Sequence, residues 1–123
     1  MEQNEEVMDI SETPIKNYGA KCVAAVISLC DSLKEIRLSG CQIKDEGASA
    51  IFEELKASES VELVDLNNNQ LTEKMFESMV QLCQANKSVQ RIEVKGVSVK
   101  NKFALNKLKA YTGRIILWIK PSI

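Results

Sequence analysis

The chain of 123 residues contains no histidine. This absence excludes acid–base catalysis by imidazole, Ser–His and Cys–His nucleophile pairs, and metal sites that use histidine ligands. The five glycines are scattered along the sequence, so no glycine-rich phosphate-binding loop is present. No apolar run approaches the ~20 residues of a helical membrane span, and we therefore expect no membrane contact.

Neither sign of charge is in excess. Lys and Arg number 16 and Asp and Glu number 17, which gives a net charge of −1. Nucleic-acid-binding proteins usually carry a basic excess or a basic stripe, so we expect no nucleic-acid partner. The charge is nevertheless unevenly distributed, because residues 1–12 are acidic and the C-terminal third is basic. This asymmetry fits the steering of an acidic partner or, as the more frequent alternative, a solvated helix face.

Four cysteines, Cys22, Cys30, Cys41 and Cys83, include no Cys-x-x-Cys pair. Their spacing argues against a metal knuckle and against a disulfide framework. We expect four small buried hydrophobic residues in a reducing compartment. Residues 1–6 are acidic and lack the basic region and apolar stretch of a signal peptide, so we expect a cytoplasmic location.

An internal repeat of 28 residues is the main signal in the sequence. Residues 33–43, 61–71 and 89–99 share the pattern apolar-x-x-apolar-x-apolar-x-x-(Cys, Asn or Val)-x-apolar. A degenerate fourth unit opens the chain, with Met8 and Ile10 at the apolar places of its strand. The period-two core of each segment predicts a half-buried strand, and apolar residues at three- and four-residue spacing after it predict a helix.

The repeated pattern resembles that of the leucine-rich repeat family, and a 28-residue unit with a full helix is similar to its ribonuclease-inhibitor-like subfamily, whose members are intracellular. The resemblance implies an α/β right-handed solenoid with parallel strands on a concave face and helices on a convex face. We expect a disordered acidic tail at residues 1–6 and one leucine-rich repeat domain at residues 7–123, with about four units and a C-terminal closing strand. Asp45 and Thr72 are the expected N-caps of the second and third helices, and Asn69 is the expected buried ladder residue.

The register of the repeat breaks in the last unit, where Lys107 stands at a place that is apolar in the preceding units. Residues 114–120 predict the closing strand, and Pro121 suits a sheet edge. Four apolar residues predict a helix that is rotated or displaced relative to its predecessors: Phe103, Leu105, Leu108 and Tyr111.

Alternation of side chains along each strand predicts what the concave face presents. Equivalent residues on neighbouring strands lie ~4.8 Å apart, so Asp9, Arg37, Asp65 and Glu93 form one lateral row. The first three favour an ion ladder, whereas Asp65 and Glu93 are a like-charge pair that a cation or a partner would relieve. The predicted partner-binding residues are Glu35, Arg37, Leu63, Asp65, Asn67, Arg91, Glu93, Lys95 and Trp118.

These features favour a non-catalytic protein–protein interaction module, as the resemblance to repeat proteins that bind partners on the strand face implies. Leu63 stands between Glu35 and Arg91, which carry opposite charges. An exposed leucine beside an arginine resembles an interface hot spot, although isolated surface leucines are ordinary. We expect another protein as the partner, a monomer, no catalytic residues, no cofactor and no metal. Asp65-x-Asn67-x-Asn69 mimics the start of a calcium loop but lacks its glycine and its bidentate glutamate.

The alternative hypothesis is a structural segment of a larger repeat protein or oligomer that associates through the ends of its solenoid. The loosely patterned C-terminal strand favours it, with Trp118 placed against a missing neighbour. Terminal repeats expose their core unless something covers them.

Overall fold

Five parallel strands form a single sheet, and their order in the sheet is their order in the chain. The computed structural model describes residues 6–120. The strands are β1 (Val7–Asp9), β2 (Glu35–Arg37), β3 (Leu63–Asp65), β4 (Arg91–Val97) and β5 (Ile115–Ile119).

A helical segment links each strand to the next. These segments are α1 (Lys16–Leu29), α2 (Asp45–Leu55), a 3₁₀ turn (Glu73–Met75) that leads into α3 (Phe76–Ala85), and a C-terminal 3₁₀ helix (Lys102–Tyr111). Parallel strands can be joined only by a crossover connection, and a helix is the usual form of that connection. The predicted α/β solenoid of parallel strands and helices is confirmed.

The strand register follows the 28-residue period. Met8 pairs with Ile36, Ile36 with Val64, and Val64 with Ile92, so equivalent places of successive units lie side by side. Ile36, Val64 and Ile92 are fully buried between the sheet and the helices. The side chains of residues 35, 37, 63 and their equivalents therefore point to the opposite side of the sheet.

The helices bury the apolar residues predicted from their spacing. Ala48, Ile51, Phe52 and Leu55 of α2 are fully buried. In α3, Phe76, Met79 and Cys83 are buried at the equivalent places, whereas Val80 is only half-buried and Leu82 is buried in addition. The first helix differs, because Val26 is 42% exposed on the side of α1 away from the core. Cysteine burial was also predicted wrongly in part: Cys41 and Cys83 are buried, whereas Cys22 is exposed and Cys30 is half-buried.

A side chain of the preceding repeat caps the start of α2 and the start of the 3₁₀ turn before α3. Asn17 accepts hydrogen bonds from the backbone N–H groups of Lys44 (2.9 Å) and Gly47 (3.0 Å). One repeat later, Asp45 accepts from the Thr72 backbone N–H (2.8 Å). The prediction that Asp45 caps its own helix is therefore wrong, because Asp45 lies inside α2 and its carboxylate reaches the next unit.

The predicted cap at Thr72 is confirmed, since its hydroxyl accepts from the Lys74 backbone N–H (3.1 Å) at the start of the 3₁₀ turn. Asn69 is the buried ladder residue that the sequence predicts. Its carbonyl oxygen accepts from the backbone N–H groups of Cys41 (3.0 Å) and Ile43 (2.9 Å) in the preceding repeat. Its amide donates to the Leu38 carbonyl oxygen (2.9 Å), so the side chain joins two neighbouring turns.

The last unit departs from the others, as the broken register predicts. The displaced helix is a 3₁₀ helix that buries Leu108, half-buries Leu105 and Tyr111, and leaves Phe103 83% exposed. The closing strand is β5, which pairs with β4 across an irregularity between Lys95 and Val97. Gly96 has a φ of 86° at this irregularity, a conformation that glycine adopts without strain.

The predicted disordered tail covers residues 1–6, of which 1–5 lie outside the described residues, as does Pro121. The carbonyl of Glu6 is held at the sheet edge, where it accepts from the Lys34 (2.7 Å) and Glu35 (2.9 Å) backbone N–H groups. Within residues 6–120, no helix is long and apolar enough to cross a membrane.

Candidate interaction surface

We use the name strand face for the side of the sheet opposite the helices. Strand pairing arranges its side chains in lateral rows. One row runs from Val7 through Glu35 and Leu63 to Arg91. A second runs Asp9, Arg37, Asp65, Glu93 and Ile116, and Lys95 pairs with Trp118 in a third. All nine sequence-predicted partner-binding residues lie in these rows or, for Asn67, at the end of a strand that carries them.

Ionic contacts join the residues at the centre of the strand face. The Arg37 guanidinium contacts the Glu35 carboxylate at 3.0 Å and the Asp65 carboxylate at 3.7 Å. Among the described residues no ion pair joins Asp9 to Arg37, so the predicted ladder forms between Arg37 and Asp65 alone. Instead, a hydrogen bond from the Ser11 backbone N–H to Asp9 lowers the pKa of that carboxyl group.

Asp65 is only 7% exposed, which contradicts the prediction that it is presented at the surface. Its carboxylate turns back along the chain and accepts a hydrogen bond from the Asn67 backbone N–H (3.0 Å). Burial raises the pKa of Asp65, the nearby Glu93 carboxylate raises it further, and the Asn67 hydrogen bond works against both. The Asn67 hydrogen bond therefore offsets only part of the cost of burying the Asp65 carboxylate, and this buried side chain is poorly placed to contact a partner.

Hydrogen bonds to the Glu93 carboxylate offset its repulsion by the neighbouring Asp65 carboxylate. Although burial acts to raise the pKa of Glu93, bonds from the Asn67 amide (3.0 Å) and the Arg91 guanidinium (2.6 Å) outweigh it and lower the pKa. The Asn67 carbonyl oxygen also accepts from the Lys95 backbone N–H (2.8 Å). Asn67 thus links β3 to β4 and has a structural role in addition to its place on the strand face.

Leu63 lies between Glu35 and Arg91 as predicted, and it is half-buried. The neighbouring Arg91 side chain is 54% exposed. Leu63 is therefore an aliphatic side chain on the strand face beside an accessible guanidinium.

Trp118 stands at the C-terminal end of the strand face and is 64% exposed. The Lys95 ammonium lies 4.7 Å from the centre of its ring, within the range of a cation–π contact. Ile116, two residues earlier on β5, is half-buried beside Glu93. Ile116 is a strand-face residue that was not predicted from the sequence, although alternation backwards from Trp118 gives it.

The cavities of the described residues lie away from the strand face. One, of about 530 Å³, lies beside the turns that follow α1 and α2 and is lined by Ile27, Cys30, Glu54 and Ser58 among others. No group of three or more Cys, Asp or Glu side chains within residues 6–120 is arranged to hold a metal ion.

Comparison with known proteins decides how this architecture is classified. A family model described as Leucine Rich repeat matches residues 29–52, which span the end of α1, strand β2 and the first part of α2. The chain folds as a leucine-rich repeat solenoid. No curated protein sequence matches the chain.

Two solved structures share this leucine-rich repeat fold over nearly the whole chain. One is described as Leiomodin-1 Actin-Binding Site 2, with a TM-score of 0.77 at 17% identity, covering 96% of this chain and 72% of that one. The other is a tropomodulin C-terminal domain from Caenorhabditis elegans, with a TM-score of 0.77 at 12% identity, covering 96% of this chain and 75% of that one. At these identities the likeness establishes the fold.

Proposed function

We propose that this leucine-rich repeat domain is a non-catalytic interaction module that binds a protein partner through its strand face. The fold supports the proposal, because stacked repeats present an extended surface of parallel strands rather than an enclosed cleft. The charged side chains of that surface bond to one another and to backbone amides, and none is paired as a general acid and base. We also propose an intracellular location, which suits cysteines that are all free.

The exposure of Trp118 is the observation on which the proposal chiefly depends. Tryptophan is seldom left exposed on a surface with no partner, and it is enriched together with arginine in interface hot spots. Trp118 is 64% exposed, and the Arg91 side chain on the neighbouring strand is 54% exposed. The Lys95 contact holds the indole ring in place, which lowers the entropy lost when a partner orders it.

Actin is the first partner to test. The leiomodin-1 domain that shares this fold is described as an actin-binding site. The likeness is one of fold, so the choice of actin is an analogy and the strand-face contact is the physical part of the proposal.

The test measures binding of the full chain to monomeric actin by isothermal titration calorimetry, alongside capture of partners from a cell lysate. We expect Trp118→Ala to weaken binding about tenfold or more, which corresponds to about 1.4 kcal/mol or more. Leu63→Asp combined with Arg91→Glu should weaken it further. Phe103→Ala is the matched control, because Phe103 is an aromatic residue outside the strand face that is even more exposed than Trp118.

Unchanged capture by a folded Leu63→Asp/Arg91→Glu/Trp118→Ala chain would contradict binding through the strand face. Loss of binding by Phe103→Ala with full binding by Trp118→Ala would place the contact on the C-terminal 3₁₀ helix instead. If the chain does not bind actin but captures another protein in a Trp118-dependent way, the proposal of binding through the strand face stands and the choice of actin is wrong.

A further inference from the structure

The sheet has a free edge at its C-terminal end. The Arg114 carbonyl accepts from the Ile92 backbone N–H (2.7 Å), and the Lys120 backbone N–H donates to the Val97 carbonyl (2.7 Å). Backbone groups alternate in direction along a strand, so those of Ile115, Leu117 and Ile119 point away from β4. Within the described residues, no strand pairs with this side of β5.

An apolar groove runs beside that edge. It has a volume of about 240 Å³ and is lined by Leu105, Leu108, Ile115 and Leu117, with Lys109 and Thr112 at its rim. Ile119 extends the apolar surface and is 41% exposed. A strand added to β5 would gain backbone hydrogen bonds and would place alternate apolar side chains over this groove.

At the N-terminal end of the same sheet, the outer side of β1 is also unpaired among residues 6–120. The Ile10 backbone N–H donates to the Arg37 carbonyl (3.1 Å), so by alternation Val7 and Asp9 turn their backbone groups outward. Val7 is 52% exposed, and Met8 and Ile10 on the helix side are only half-buried. Met8 and Ile10, on the helix side of β1, are the apolar side chains that would lie over the groove beside β5.

The charges of the two ends are opposite in sign. Beyond Glu93 the sequence contains seven Lys and Arg residues and no acidic residue, and residues 1–12 contain five acidic residues and no Lys or Arg. Of the acidic residues, Glu6, Asp9 and Glu12 are exposed in the structure beside β1, and Lys109 and Lys120 are exposed near β5. Pairing two like ends would bring like charges together, whereas pairing unlike ends brings opposite charges together.

We infer that two copies of the chain associate head to tail, with β1 of one copy added in parallel to β5 of the other. The direction of β1 suits this arrangement, because every strand of the sheet is parallel and a stacked copy continues the repeat. A head-to-tail dimer keeps one unpaired end of each kind, so longer stacks form as the concentration rises. This association uses the ends of the solenoid and does not depend on partner binding at the strand face.

The test uses two full-length variants, each blocked at one end by proline, which removes an outward backbone N–H from an edge strand. Val7→Pro blocks the β1 edge and Ile119→Pro blocks the β5 edge. Sedimentation velocity should show that the wild-type chain associates as its concentration rises, and that each variant alone is a monomer. An equimolar mixture of the two variants should give a 1:1 dimer and nothing larger, because only one unblocked pair of ends remains.

Circular dichroism and thermal unfolding check that both variants fold. Val7→Thr and Ile119→Thr are matched controls that keep the backbone N–H and should associate as the wild type does. If proline disturbs the fold, Glu6→Lys and Lys120→Glu replace it, and each should weaken wild-type-like association about tenfold at low salt. A wild-type chain that stays monomeric at every concentration overturns the inference. Dimers formed by either blocked variant alone overturn it as well, because they would show symmetric pairing of like ends.

Discussion

Arg114 occupies the place of Asn86 one repeat later and bonds to the equivalent backbone carbonyls. The Asn86 amide donates to the carbonyl oxygens of Leu55 (2.8 Å) and Ser58 (2.6 Å) at the end of α2. The Arg114 guanidinium donates to those of Cys83 (2.8 Å) and Asn86 (2.5 Å), each 28 positions further along. The carbonyls at a helix C-terminus have no partner within the helix, so both side chains satisfy groups that would otherwise be left unpaired.

Replacing Arg114 should therefore destabilise the last two units. The Arg114 guanidinium also donates to the Val89 carbonyl (2.6 Å), so Arg114→Ala removes charge-assisted hydrogen bonds to three carbonyls at once. We expect a decrease of about 2–4 kcal/mol in the free energy of unfolding, measured by urea denaturation. Lys109→Ala is the control for loss of an exposed positive charge, and it should change stability by less than about 0.5 kcal/mol. Equal stability of both variants would show that the carbonyls are satisfied by water.

The ladder residue Asn69 gives a second stability prediction. Asn69→Ala leaves the buried backbone N–H groups of Cys41 and Ile43 without an acceptor. Each unsatisfied buried group costs about 1–3 kcal/mol, so we expect the free energy of unfolding to fall by at least about 2 kcal/mol. The adjacent Gln70→Ala removes an exposed side chain and should have little effect. If only Gln70→Ala lowered the free energy of unfolding, the role of Asn69 as a stabilising ladder residue would be contradicted.

The sequence predicts the fold well because a fixed 28-residue interval constrains every unit in the same way. Strand register, the buried places of β2, β3 and β4, and the Asn69 ladder all follow from it. Caps that cross between repeats do not follow from it. Asp45 looks like an ordinary N-cap from its own helix, and only the structure shows that its carboxylate meets Thr72 of the next unit.

The strand face was predicted less completely than the fold. Side-chain alternation correctly places Leu63, Arg91 and Trp118 there. Alternation gives the direction of a side chain but not how its neighbours cover it, so the burial of Asp65 was missed. Side-chain alternation also does not predict that the Asn67 amide donates a hydrogen bond to Glu93.

Asp65 makes the stability of the domain depend on pH in a particular direction. Its pKa is raised by burial in the folded chain, so the folded state binds the proton more tightly than the unfolded state does. Protonation of Asp65 therefore adds stability that is complete below its ordinary pKa of 3.8 and is lost as the pH rises through the raised value. Relative to Asp65→Asn, the wild-type chain should gain stability as the pH falls from neutral toward 3.8.

Urea denaturation of both chains across this pH range measures the difference. Glu93→Gln is the control of opposite sign, because hydrogen bonds lower the pKa of Glu93 below its ordinary value of 4.5. Its contribution is present above that value and is lost as the pH falls below it. A wild-type chain that loses stability relative to Asp65→Asn on acidification would show that the Asn67 hydrogen bond outweighs burial.

The four cysteines should separate into two classes by their reactivity. Burial raises the pKa of the Cys41 and Cys83 thiols, and since only the thiolate reacts, both should be protected in the folded chain. Cys22 lies exposed on α1 and should react rapidly with a thiol reagent, while the half-buried Cys30 should react more slowly. A colorimetric thiol assay of the native chain should therefore show Cys22 first, and the buried pair only after denaturant is added. Cys22→Ser should abolish the rapid phase alone. Rapid modification of Cys41 or Cys83 without denaturant would mean that the second or third unit opens far more readily than the packing of β2 and α3 indicates.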